Sequence, residues 1–213
     1  MAEKIVSLTV GPVEVNCYIV GCDEHKKCAV IDPGDSSHRI LAEVEQNGWS
    51  VDKIINTHGH ADHTGANAKI KDATGAPLYI HKDDVFLLSL KSMRDMADYI
   101  GVGHSPEPDT VMNDGDIIEI CPCLSFSVIA TPGHTPGGVC LLFNGGLITG
   151  DSIFRMSIGR TDLEGGNQAT LLKSIKTRIL TLPNETKLYP GHGEPSQVGF
   201  EKANNPFISG AFQ

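Results

Sequence analysis

The chain has 213 residues, with 17 Lys plus Arg against 26 Asp plus Glu, a formal charge of −9 at pH 7, 40% hydrophobic and 20% charged residues. That balance disfavours broad nucleic-acid or anionic-membrane binding, which needs clustered cations, and it lacks the bias of a disordered or fibrous chain. The length suits one domain with a sizeable core, so residues 1–213 are taken as a single domain.

The opening Met1-Ala2-Glu3-Lys4 leads into an alternating segment without the apolar stretch of a signal peptide or membrane span, so a cytoplasmic location is expected. β-Branched runs at 5–10, 15–20 and 28–32, parted by Gly11-Pro12 and Gly21, predict an antiparallel meander. Ser36 or Ser37 can cap a helix to about residue 46, with Ile40, Leu41 and Val44 on one face and Gly48 as its stop. A strand over 51–56 then delivers the chain to a histidine-rich loop. Helix 65–73, strand 77–81 and helix 82–90 follow. Gly101-Val102-Gly103 and Pro106-Glu107-Pro108 mark a loop, and the segment 91–110 reads as a mobile substrate lid. The second half predicts strands at 116–120, 124–130, 139–143 and 147–149, a helix at 168–180 and a strand at 187–189. With no linker and no repeat, the two halves are expected to pack as layers, with catalytic residues on strand-end loops.

Six cysteines (Cys17, Cys22, Cys28, Cys121, Cys123 and Cys140) form no paired CxxC spacing, and a disulfide framework is not expected in a cytoplasmic chain of this length. Cys121-Pro122-Cys123 offers only two soft-metal ligands and reads as strand-edge packing.

The chemistry is concentrated in Thr57-His58-Gly59-His60-Ala61-Asp62-His63-Thr64-Gly65, three imidazoles and a carboxylate directly after a strand. Neutral imidazole and carboxylate are the usual nitrogen and oxygen ligands of zinc or iron, and His58 and His60 can point the same way from extended backbone. Asp62 and His63 fall past the bend, facing a neighbouring point. Thr131-Pro132-Gly133-His134-Thr135-Pro136-Gly137, Gly150-Asp151 and Pro190-Gly191-His192-Gly193 each place one further ligand type after a strand beside glycine, which lets backbone approach an ion closely. Of the other histidines, His25, His38 and His104 read as solvated and His81 as packed or hydrogen-bonded.

These four stretches, in this order, resemble the metallo-β-lactamase superfamily. The resemblance implies an αββα sandwich of two mixed β-sheets flanked by helices, with two divalent metal ions, zinc and/or iron, at one edge. It assigns His58, His60 and His134 to the first ion, Asp62, His63 and His192 to the second, and Asp151 to both. Asp32, in Val30-Ile31-Asp32-Pro33-Gly34, matches a family aspartate that orients a ligand imidazole.

Residues 152–162, SIFRMSIGRTD, look like the hydroxyacylglutathione hydrolase (glyoxalase II) branch. The chain stops about twenty residues after His192, without that branch's carboxy-terminal helical domain, so it resembles the short bacterial relatives. The expected reaction is hydrolysis of a small-molecule acyl thioester by a metal-bridging hydroxide, with Asp62 orienting the nucleophile and a thiolate departing. Neither nucleic acid nor membrane is an expected partner. The alternatives are a persulfide (sulfur) dioxygenase with one iron on His58, His134 and Asp151, a lactonase or β-lactamase, a nuclease, and a non-catalytic metal-binding module.

Overall fold

The computed structural model describes residues 3–209; Met1 and Ala2, where the opening read as leaderless begins, lie outside them. The first sheet holds β1 (Glu3–Val10), β2 (Val15–Cys22), β3 (Lys27–Ile31), β4 (Ser50–Ile55), β5 (Leu78–His81) and β6 (Thr110–Met112), in sequence order. The expected antiparallel meander covers β1 to β3; β3 to β6 then run parallel, because α1 (Ser37–Gln46), α3 (Asn67–Thr74) and the helices within residues 82–100 serve as successive crossovers. The second sheet has the order β14-β13-β10-β9-β8-β7. Its members are β7 (Ile117–Cys121), β8 (Leu124–Ala130), β9 (Val139–Phe143), β10 (Gly146–Gly150), β13 (Lys187–Pro190) and β14 (Ser196–Gln197). β10 and β13 are parallel and the other neighbours antiparallel, so both sheets are mixed.

Side-chain alternation explains the layering. All eight residues of β2 are buried because one set (Tyr18, Val20, Cys22) meets Phe126, Val128 and Leu141 of the opposite sheet, while the other (Val15, Cys17, Ile19) meets Ile40, Val44 and Ile70 of α1 and α3. Across the molecule, Leu171 of α6 (Gln168–Ser174) with Ile175 and Ile179 of the following π-helical turn covers Cys140, Leu147 and Leu188. The result is the αββα sandwich.

Three stretches differ from expectation. The His-rich loop contains one short helix, α2 (Ala61–Thr64). The predicted helix at 82–90 splits into a 3₁₀ turn, Lys82–Asp84, and α4 (Val85–Ser89). The segment read wholly as a loop opens with α5 (Lys91–Ile100), in which Met93, Ala97 and Ile100 recur at helical spacing and Gly101 closes the helix at φ 78°. The two-residue strands β11 (Ile153–Phe154) and β12 (Ser157–Ile158), like β6, β14 and α7 (Val198–Asn204), have patterns too short to register as periodic. Among the described residues no helix is long and apolar enough to cross a membrane.

Candidate metal centre

Each functional side chain stands at the same end of the sandwich, just after a strand: His58 to His63 beyond β4, His134 beyond β8, Asp151 beyond β10 and His192 beyond β13. The first sheet holds the last of these loops in place. Asn16 N donates to Gly191 O at 2.7 Å, Asn16 Nδ2 to Pro190 O at 3.1 Å and Gly193 O at 2.8 Å, and Tyr18 Oη to Pro190 O at 2.7 Å.

The structure brings all seven predicted ligand residues together, in two pockets that share Asp151. In the first, His58 Nε2 lies 3.1 Å from His60 Nδ1, and His134 Nε2 lies 2.9 Å from His60 Nδ1 and 3.3 Å from His58 Nε2. Nitrogens at two vertices of a tetrahedral zinc site are about 3.3 Å apart, so this triangle closes to near the size one ion needs. In the second, His192 Nε2 is 3.2 Å and His63 Nε2 3.6 Å from Asp62 Oδ2. Asp151 faces both: Oδ1 is 3.4 Å from His63 Nε2, and Oδ2 is 3.6 Å from His134 Nε2 and 3.7 Å from His192 Nε2.

The polar atoms themselves ask for cations. His63 Nε2 and Asp151 Oδ1 are buried without a hydrogen-bond partner, a costly state for either atom unless a metal fills it. Burial, then repulsion from His63, His134 and His60, pushes His58 well below the ordinary imidazole pKa, and burial with His134 lowers His60 to about 3. Both are therefore neutral, with lone pairs free. In the second pocket burial again favours neutral imidazole, but Asp151, Asp62 and Asp32 outweigh it and raise His63, and Asp62 and Asp151 do the same for His192. Burial likewise opposes the charge of Asp62 and Asp151, yet neighbouring imidazoles, His63 first, hold both carboxyls below their ordinary range.

The outer ring nitrogens fix ring orientation. His63 Nδ1 meets Asp32 Oδ2 at 3.0 Å, His58 Nδ1 meets Thr57 Oγ1 at 3.1 Å, and His134 Nδ1 meets Arg160 O at 2.6 Å. Asp32, left-handed at φ 51°, also accepts from Thr57 N and Thr57 Oγ1, each at 2.7 Å, so it sits beside the ligands as expected and is itself clamped.

Sequence reasoning missed Asp84. It is buried, and its Oδ2 accepts from Gly59 N at 2.9 Å and Thr135 Oγ1 at 2.8 Å, while Oδ1 accepts from Gly137 N at 2.6 Å. One carboxylate thus ties the His58/His60 loop to the His134 loop. Burial raises its pKa despite those three donors. No local signal separates Asp84 from Asp83; only the fold does.

The remaining histidines stand outside the centre. His81 Nδ1 accepts from Asp83 N at 3.3 Å, His104 pairs with Asp98 at 2.9 Å in solvent, and His38 is exposed. His25 is exposed too, but it stands against Cys123 at the far end of the sheets.

A cavity of about 440 Å³ opens over His60, Asp62, Asp151 and His192. Its other walls are largely apolar: Val13, Phe154 and Leu163, with Met93, Met96 and Ile100 from α5. The predicted lid segment therefore supplies a helical cavity wall. Arg160 is the one Lys or Arg side chain in the lining among the described residues, and its Nε and Nη2 are spent on Asp162 at 2.8 Å each.

Imidazole and carboxylate pockets sharing one aspartate, at the edge of an αββα sandwich and under a substrate-sized cavity, define a metal-dependent hydrolase class of protein. The chain belongs to the metallo-beta-lactamase superfamily, whose profile matches residues 10–192. Among its relatives is the hydroxyacylglutathione hydrolase GloC of Haemophilus influenzae, 32% identical, with 97% of this chain and 98% of that protein covered. Two solved structures share the fold over nearly the whole chain. BLEG-1 B3 metallo-beta-lactamase superposes with TM-score 0.90 at 31% identity, covering 97% of this chain and 100% of that one. TTHA1623 in a di-iron-bound form superposes with TM-score 0.84 at 34% identity, covering 95% and 99%.

Proposed function

We propose that the chain is a single-domain cytoplasmic hydrolase of small acyl thioesters, hydroxyacylglutathione among them, working with two divalent ions, zinc and/or iron. The observation that carries this reading is the apolar cavity lying directly on the shared aspartate, which suits an acyl thioester with its carbonyl at the centre and its carbon chain against Met93, Met96 and Phe154. Near full-length similarity to a hydroxyacylglutathione hydrolase supports it, and the di-iron form of a relative supports the paired ions.

His58, His60 and His134 would hold one ion, Asp62, His63 and His192 the other, and Asp151 both. Such ions, when bound, supply a water acidified toward neutrality and polarise a carbonyl oxygen. The chain's own groups do the rest. Asp62, kept ionised, is placed to orient the attacking water, and Asp32 fixes the ring of His63. The apolar walls exclude competing water from the thioester carbonyl. The partner is the small-molecule substrate, with no nucleic acid or membrane.

Glutathione carries two carboxylates, normally met by free cations. Here Arg160 is paired with Asp162, the Arg155 guanidinium lies 4.4 Å over the Phe200 ring, and Lys202 donates to Asn184 Oδ1 at 2.8 Å. Lactoylglutathione is therefore expected to turn over with a high KM and little loss of kcat. The test is a steady-state panel of glutathione thioesters, other acyl thioesters, lactones, a phosphodiester and a persulfide on metal-loaded protein. Acyl thioesters should lead. Persulfide oxidation outpacing every hydrolysis would move the reading to one iron on His58, His134 and Asp151. Inactivity on every substrate would leave a metal-binding module.

A further inference from the structure

The opposite end of the sandwich carries a second set of metal-ligating side chains. Cys22, His25, Cys121 and Cys123 bring three sulfurs and an imidazole nitrogen within 4.8 Å of one another. They come from two hairpins in different sheets. Cys22 ends β2 and His25 lies in the turn to β3, while Cys121 ends β7 and Cys123 lies in the turn to β8, across Pro122. The β2 strand runs eight residues from Val15, which bridges His192, to Cys22, so the cluster stands about 23 Å from the histidine and aspartate centre.

The spacing suits one small cation. Sulfurs on tetrahedral zinc, bonded at about 2.3 Å, are about 3.8 Å apart, and a mixed sulfur–nitrogen edge is somewhat shorter. Cys121 and Cys123 Sγ are 3.8 Å apart, and His25 Nδ1 is 3.5 Å from Cys22 Sγ and 3.2 Å from Cys123 Sγ. The Cys22–Cys123 edge, at 2.7 Å, has to open, and the two remaining edges, from Cys121 to Cys22 and to His25, lie within 4.8 Å. Strand-edge packing, the expectation for the Cys-Pro-Cys pair, gives no reason for a polar, exposed imidazole to turn onto two thiols. A disulfide would use two sulfurs and leave the third thiol and the imidazole idle. Three soft thiolate donors with one imidazole select zinc over the harder divalent ions.

We propose that Cys22, His25, Cys121 and Cys123 form a Cys₃His site for a structural zinc ion that clamps the β2–β3 hairpin of one sheet to the β7–β8 hairpin of the other. Zinc enters as the divalent ion and each coordinating thiol gives up its proton to solvent, with no redox change. All four vertices are filled by protein, so the ion has no open position for substrate.

The test is metal analysis of the whole reduced protein, loaded with zinc at the histidine and aspartate centre. One more zinc per chain is expected than in Cys123→Ser or Cys22→Ser, with hydrolysis kept in both variants. Cobalt(II), used alone as the probe, should give intense thiolate-to-cobalt charge-transfer absorption in the wild type that disappears in Cys123→Ser; the other centre has no sulfur to produce it. His25→Ala alters an exposed turn residue, so it tests the site without threatening the fold, and it should lose the extra zinc to a mild chelator before the wild type does. Equal zinc content in wild type and variants, or a wild type without thiolate–cobalt absorption, would overturn the proposal. So would an intact mass two hydrogens light with Cys22 and Cys123 joined, which would make the pair a disulfide.

Discussion

Replacing Asp84 by Asn tests whether one buried carboxylate aligns the His58/His60 loop with the His134 loop. In the wild type three donors converge on two oxygens: Gly59 N and Thr135 Oγ1 on one, Gly137 N on the other. Asparagine keeps one oxygen for Gly59 and Thr135 but turns its amide toward Gly137 N–H, so a charge-assisted bond is replaced by two facing donors. Loss of such a bond costs about 1.5–3 kcal/mol. Because burial already raises the Asp84 pKa, the neutral amide recovers part of a desolvation cost, and the net loss is expected near 2 kcal/mol. Spreading of the Gly59 and Gly137 loops then moves His60 relative to His134, so kcat should fall with little change in KM. Denaturant midpoints of metal-loaded protein and steady-state kinetics together make the assay. Unchanged midpoint and unchanged kcat would refute the clamp.

Asp151→Asn is expected to lose most activity and weaken retention of both ions, since one side chain faces both pockets; elemental analysis showing full metal content with near-normal turnover would remove its shared role. Gly191→Ala should displace that carboxylate without touching its chemistry, because a Cβ there would stand 2.2 Å from Asp151 Oδ1; it should lower kcat, and wild-type rates would count against the tight packing. Acidification should empty the pockets in order. His63 and His192, raised above the ordinary imidazole pKa, take up protons first as pH falls, whereas His60, lowered to about 3, keeps its lone pair, so the Asp62/His63/His192 ion should leave first. Metal content against pH, read in wild type and Asp62→Asn, would show the reverse order if the assignment is wrong.

The sheets were legible where an apolar run or an alternation was long. The strands predicted at 15–20 and 124–130 match β2 and β8 to within two residues because β2 is a β-branched run buried on both faces and β8 alternates through Leu124, Phe126 and Val128, each bounded by turns. The parallel pairing of β3 with β4 was not, since it depends on where α1 returns the chain, which no local pattern records. α5 escaped because Lys91, Arg94, Asp95 and Asp98, with the Gly101/Gly103 pair just beyond it, weigh toward a loop. Its apolar stripe of Met93, Met96, Ala97 and Ile100 does recur at helical spacing, and Met93, Met96 and Ile100 of that stripe line the cavity.

The same contrast separates the two clusters. Four of the seven proposed ligands of the main centre fall within residues 58–63, so one strand-end loop displays most of the chemistry, and His134, Asp151 and His192 stand in three further glycine-flanked strand ends. The cysteine cluster pairs residues about a hundred positions apart, two from each of two hairpins, and each pair alone is below the four donors that a closed zinc site needs. Sequence density therefore reveals sites built on one loop. The cysteine cluster, with only two donors on either hairpin, becomes visible only in the folded sandwich, where face-to-face packing of the sheets brings Cys22 of the β2–β3 hairpin to Cys123 of the β7–β8 hairpin.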